Sequence, residues 1–179
     1  GAMLAVLGIA SKEIDKILEI NKKKYECFIA NDNSNLQVVV SGLKKDINLL
    51  SDDLNNKKIK NLKLNVSAPF HCKYMKTASE KMTNYINDLN MRELEKPIVS
   101  NVTAKETISS KEIKSLLISQ IEKKVRWLES VEYMINNGVK NFVEIGPGKV
   151  LSGLIKRINK SVNVSSINTE EDIRLLLND

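Results

Sequence analysis

The sequence predicts an α/β protein: a ferredoxin-like βαββαβ unit over residues 1–65, followed over 66–179 by strands separated by helices. Three observations carry this expectation. The first part alternates period-2 and period-3.6 apolar patterns in the order strand, helix, strand, strand, helix, strand. The later strands each stand between helical segments, which implies parallel pairing and a sheet covered on both faces. With 7 glycines and 3 prolines there is little linker material.

The elements follow in order. Met3 to Ile9 is an apolar strand, and Ser11 stands where a cap is needed for a helix with Ile14, Ile17 and Leu18 on one face. Glu26 to Ala30 reads as a strand, Asn31 to Asn35 as a polar turn, and Leu36 to Ser41 as the valine-rich returning strand that Gly42 ends. Leu43, Ile47, Leu50 and Leu54 mark a second helix, and Ile59, Leu62, Leu64 and Val66 alternate as a fourth strand. From Ser67 a loop enters a helix whose face carries Met75, Ala78, Met82, Ile86 and Leu89, and Pro97 opens a strand from Ile98 to Thr103. Ile113, Leu116, Leu117 and Ile121 define one further helix, and Leu128, Val131, Met134 and Ile135 another, with Gly138 as its C-cap. Strand Asn141 to Ile145, a Gly146-Pro147-Gly148 turn, a helix from Lys149 to Ile158, strand Val162 to Ile167 and a helix from Thr169 complete the chain.

Composition narrows the function. At 42% hydrophobic and 28% charged residues the chain is globular, and no apolar run approaches the ~18 residues of a membrane span. Cys27 and Cys72 form neither a disulfide framework nor a metal-ligand spacing, so no metal is expected and a reducing, cytoplasmic location fits. The balance of 28 basic against 22 acidic side chains admits an acidic partner. Only 4% aromatic residues leaves few platforms for stacking bases, which argues against nucleic acid.

Two stretches carry candidate chemistry. In Ser67-Ala68-Pro69-Phe70-His71 the chain's one histidine follows a proline-restricted turn, a position from which an imidazole can face a cleft. Cys72 beside it is expected to be a buried thiol, since neighbouring side chains diverge. In Glu144-Ile145-Gly146-Pro147-Gly148-Lys149 a strand meets a helix whose N-terminus can receive an anion. A tight turn packing helix on strand explains the same residues. The stretch is not a phosphate-binding P-loop, because Val143 and Val150 break that pattern.

Taken together, GAMLAVLG, the Asn31-x-Asn33-Ser34-x-x-Gln37 segment, SAPFHCKYM, PIVSNVTA, Gln120 ahead of Val125-Arg126-Trp127, SVEYM and EIGPGKVLSGLIKRI stand in an order that resembles the malonyl-CoA:acyl carrier protein transacylases of type II fatty acid synthesis. The resemblance implies that residues 66–179 are the C-terminal part of an α/β-hydrolase-like acyltransferase core. It further implies malonyl-CoA as substrate, the phosphopantetheine of acyl carrier protein as acceptor, and no bound cofactor. In that family a serine attacks the thioester and a histidine takes its proton. His71 matches this base and Gln120 the residue whose carbonyl holds the imidazole. Asn33 falls beside the substrate, and Lys60, Lys156 and Arg157 match basic carrier-docking positions. Lys124, where a proline is frequent, implies a looser loop around Gln120.

No Gly-x-Ser-x-Gly occurs in the chain, and the family's GHSLGE segment and its carboxylate-binding arginine have no counterpart. The expectation is therefore a portion of a transacylase that is inactive alone and needs the N-terminal half as a partner. The alternative is a non-catalytic carrier-binding or regulatory module of the same fold.

Overall fold

In the computed structural model, which describes residues 1–177, the apolar alternation of β1 (Ala2–Leu7) is sorted onto two faces of a sheet. Leu4 and Val6 point to one side and join Ile14, Ile29, Val38, Val40, Ile47, Leu50 and Leu54 in the main core, while Met3 and Ala5 join Ala30 and Val39 on the other. The elements are α1 (Ser11–Ile20), β2 (Cys27–Ser34), β3 (Gln37–Gly42), α2 (Lys44–Asn56) and β4 (Asn61–Lys63). The four strands lie in the order β2-β3-β1-β4, with every neighbouring pair antiparallel.

Beyond the sheet come α3 (Lys76–Asp88), the short hairpin β5 (Ile98–Val99) and β6 (Glu106–Thr107), α4 (Ser110–Ser119) and α5 (Trp127–Asn136). Then follow β7 (Asn141–Ile145), α6 (Val150–Ile158), β8 (Asn163–Ile167) and α7 (Glu170–Leu177). Strands β7 and β8 are parallel and in register from Asn141↔Asn163 to Ile145↔Ile167. The described chain divides into two compact units, Gly1–Ser130 and a second that begins at Val131.

Several local expectations are corrected. Ser11 is the first helical residue, and the cap is Ala10, whose carbonyl accepts from Glu13 and Ile14 while its amide donates to the Glu13 carboxylate at 3.3 Å. The polar run Asn31 to Ser34 is strand, not turn. It is tolerated because β2 bulges twice, at Ala30 and at Asn33, where the pairing with β3 slips by one residue each time. Leu36, read as strand, is in the turn and exposed. The expected strand Ile98 to Thr103 stops at Val99. There the polar Ser100-Asn101 turns the chain, with the Ala104 amide donating to Ser100 O at 2.9 Å. In α3 the buried face is Ser79 and Ile86; Met82 is exposed, as is Leu89 just past the helix end. Parallel pairing among the described residues is confined to β7–β8 and one isolated bridge, so no larger doubly covered sheet forms.

Candidate active site

The chain turns sharply between β4 and α3. His71 has φ +61°, a left-handed conformation that histidine adopts more readily than most residues yet still uncommon away from functional sites. Cys72, next to it, is 2% exposed and donates its thiol to Pro69 O at 3.1 Å. A Cβ on Gly1 would stand 2.1 Å from the Pro69 ring, so the start of β1 and this turn are in close contact. Beyond the turn, Lys73 and Tyr74 both donate to the Glu26 carboxylate at 2.5 Å, and Tyr74 meets Phe28 edge-on at 5.8 Å.

The imidazole is fixed from the far side. His71 Nδ1 lies 2.8 Å from the main-chain carbonyl of Gln120. A carbonyl offers no proton, so Nδ1 must be the donor, and the lone pair of the neutral ring is left on Nε2. That is the protonation pattern of a ring prepared to accept a proton at Nε2. The Gln120 side chain is not part of this contact; its Oε1 accepts from Asn101 Nδ2 at 3.3 Å. His71 also lines an open cleft of ≈ 590 Å³ that includes Cys27, Cys72, Glu122 and Lys124.

Gln120 follows the last turn of α4, and the chain that leads from it is tied at its other end to β2. Val125 donates to Ala30 O, at the first bulge, at 2.8 Å and accepts from the Asp32 amide at 2.9 Å. The loop expected to be loose at Lys124 is thus held on both sides of the following residue. Arg126 adds a second tie. Its amide donates to Asn101 O at 2.9 Å, its Nη1 reaches the carbonyls of Val102 and Thr103, and its guanidinium pairs with Glu129. The Arg126 contact holds the Glu129 carboxyl below its ordinary range.

Other expected site residues stand as follows. Asn33 is the half-buried second bulge residue of β2 and is not among the residues of the cleft. Lys60 is exposed just before β4. Lys156 and Arg157 are exposed at the end of α6, where the Lys156 ammonium donates to Val162 O at 2.6 Å. The N-terminus of α6 is occupied by the chain itself, because Glu144 accepts from the amides of Leu151 at 3.0 Å and Ser152 at 2.7 Å. Hydrogen bonds from Ser152 and Leu151 keep the Glu144 carboxyl below its ordinary range. Among the described residues no group of three or more His, Cys, Asp or Glu is placed to hold a metal, and no helix is long and apolar enough to cross a membrane.

Asn101, Asp32 and Glu122 are the site residues that the sequence reading passed over. Their only signal is polarity inside segments otherwise read as strand, turn or helix end.

No protein-family model matches the chain. Among curated proteins, a malonyl CoA-acyl carrier protein transacylase of Staphylococcus aureus is 41% identical over 180 residues, 97% of this chain, and one of Bacillus subtilis is 35% identical over 99% of it. The chain is homologous to part of the malonyl-CoA:acyl carrier protein transacylases. It spans 57% and 56% of the length of these two transacylases. Solved structures agree. An acyl-carrier-protein-S-malonyltransferase from Bartonella henselae superposes with TM-score 0.93 at 36% identity, covering 99% of this chain and 57% of that one. A transacylase from Clostridium perfringens gives 0.92 at 34%, with 99% and 56% covered. A malonyl-transacylase solved in complex with its type II polyketide acyl-carrier protein gives 0.91 at 33%, with 99% and 58% covered.

Proposed function

We propose that this chain is the histidine-bearing portion of an acyltransferase that moves a malonyl group from malonyl-CoA to the phosphopantetheine thiol of acyl carrier protein through a serine ester. The serine would come from the part of the transacylases that lies beyond the matched span. In this reading residues 1–65 are the small ferredoxin-like subdomain, a description supported by the antiparallel β2-β3-β1-β4 order. Residues 66–179 belong to the hydrolase-like core.

The observation that carries the proposal is the 2.8 Å contact between His71 Nδ1 and Gln120 O. With Nδ1 donating, Nε2 takes the proton from the serine hydroxyl as its oxygen attacks the thioester carbonyl. The imidazolium then returns that proton to the departing CoA thiolate. In the second half-reaction Nε2 takes the proton of the carrier thiol, whose sulfur attacks the ester, and the serine leaves with the proton restored. The carbonyl of Gln120 steadies the imidazolium without adding a charge. Asn33 is proposed beside the acyl chain, and Lys60, Lys156 and Arg157 on the docking surface for the acidic carrier.

The test is complementation. Co-expressed with the remainder of the S. aureus transacylase, the chain should support formation of a malonyl-serine ester, and His71→Ala should slow this by ~10²-fold or more. Acylation that proceeds equally well without the imidazole would remove His71 from the chemistry. Carrier binding with no acylation in any complemented form would favour the non-catalytic module. Lys156→Glu with Arg157→Glu should raise the Michaelis constant for the carrier and leave hydrolysis of the malonyl-enzyme unchanged, since rim charges act mainly on association.

A further inference from the structure

The carbonyl that orients His71 sits at the start of a short connection, Gln120 to Val125, whose two ends are fixed by main-chain hydrogen bonds. At the near end the Gln120 amide donates to Leu116 O at 2.9 Å and the Lys123 amide to Ser119 O at 3.0 Å. At the far end Val125 is paired with Ala30 and Asp32 of β2. Between them lies Lys124, and its half-buried side chain turns to Asp32, with Nζ 4.0 Å from Oδ2.

Asp32 is an unusual residue to find there. It is 7% exposed, its amide already donates to Val125 O, and its Oδ1 has no hydrogen-bond partner. Burial pushes its carboxyl up, opposed by a hydrogen bond from Ser11 of α1 and by the Lys124 charge. Glu129 of α5 and Asp15 of α1 are like charges facing it. Lys124 supplies the positive charge that opposes burial and these like charges. A buried charge that loses its counter-ion is costly, and the segment that carries the counter-ion is held in proportion.

We propose that the Asp32–Lys124 pair is a positioning device for the base, holding the Gln120–Val125 connection so that the Gln120 carbonyl stays on His71 Nδ1. Asp32 grips the connection twice, through its amide at Val125 and through its carboxylate at Lys124. Neither side chain takes part in the chemistry; both act through the carbonyl. The inference rests on the reading of His71 as the base, yet its test does not need turnover.

Because the chain has one histidine, the ring gives a single set of imidazole resonances, and two-bond ¹H–¹⁵N correlation reads how the neutral ring divides between the Nδ1–H and Nε2–H forms. Asp32→Asn removes a negative charge and Lys124→Met a positive one. If the pair positions the carbonyl, both variants shift the ring in the same direction, toward Nε2–H, by about 5- to 10-fold, the weight of one ordinary hydrogen bond. Lys124→Arg should keep the ratio of the parent chain. Shifts of opposite sign would mean that the two charges act only as a field on the ring, and an unchanged ratio in both would mean that the pair does not hold the connection; either result overturns the proposal. If Asp32→Asn fails to fold, Lys124→Met against Lys124→Arg still decides, since Lys124 is only half-buried. Failure of the base assignment would appear separately, as acylation that survives His71→Ala.

Discussion

His71 is held by a peptide carbonyl, and this determines what substitution at position 120 can do. Gln120→Ala leaves the carbonyl in place and removes only the 3.3 Å contact with Asn101. In the complemented enzyme it should lower the rate of acylation by less than about 10-fold, against ~10²-fold for His71→Ala. Equal losses, measured by stopped-flow, would show that the glutamine side chain carries the function. The two residues that meet here were both legible in the sequence, His71 as the one histidine after a proline turn and Gln120 by its place in a motif. That the contact is through the main chain was not legible, because no residue type encodes it. Asn101 and Asp32 were missed for a related reason. Each is a polar residue in a segment whose pattern reads as strand or turn, and only the fold shows that a bulge in β2 and a turn after β5 bring them to the same loop.

Among the elements, helix ends separate what composition reveals from what geometry adds. Gly138, with φ +92°, ends α5 with the Val139 amide on Met134 O and the Gly138 amide on Ile135 O, the paired bonds of a left-handed C-terminal cap, as its glycine announced. Helix α2 ends in the same way at Lys58, φ +58°, where a side chain conceals the motif. Since the backbone there is already left-handed, Lys58→Gly should stabilise the first unit by about 1 kcal/mol, read as a higher urea midpoint with unchanged slope. At α6 the amides of Leu151 and Ser152 donate to Glu144 of β7, whose lowered carboxyl stabilises the folded state above its ordinary value of 4.5 and loses that effect as pH falls through the lower folded value. The melting temperature of Glu144→Gln should therefore change less between pH 5 and pH 3 than that of the parent chain. The strand expectations failed mainly in β2 and β5. In β2 two bulges let Asn, Asp and Ser lie in a strand without breaking its ladder, and in β5 an apolar run was cut short by the turn at Ser100-Asn101.

At the scale of the molecule, the two units differ in how much they bury. The first encloses Leu4, Val6, Ile14, Ile47, Leu50 and Leu54 completely, whereas β7 of the second leaves Val143 at 44% and Ile145 at 81% exposure. Local stability follows buried apolar contact, so amides of β7 and β8 should exchange with solvent well before those of β1 and β3, as followed by hydrogen exchange with mass spectrometry. Comparable protection in both would contradict this. An apolar strand with an open edge also invites association, and Ile145→Lys should slow the growth of light scattering in concentrated solution. The α/β class and most of the order of elements could be foreseen from periodicity, but β6 and its hairpin with β5 could not. The division at Ser130 could not, since it depends on contacts between segments far apart in sequence. That division also governs what ordinary spectroscopy can see. Trp127, Cys27, Cys72, Tyr25, Tyr74 and Tyr85 all precede it, and Tyr133 is the one such reporter after it. Thiol labelling thus reports on the first unit, and Trp127 stands in α5, the helix that runs across the division. A tryptophan introduced at Phe142, in the middle of the parallel pair, would report on the second unit directly.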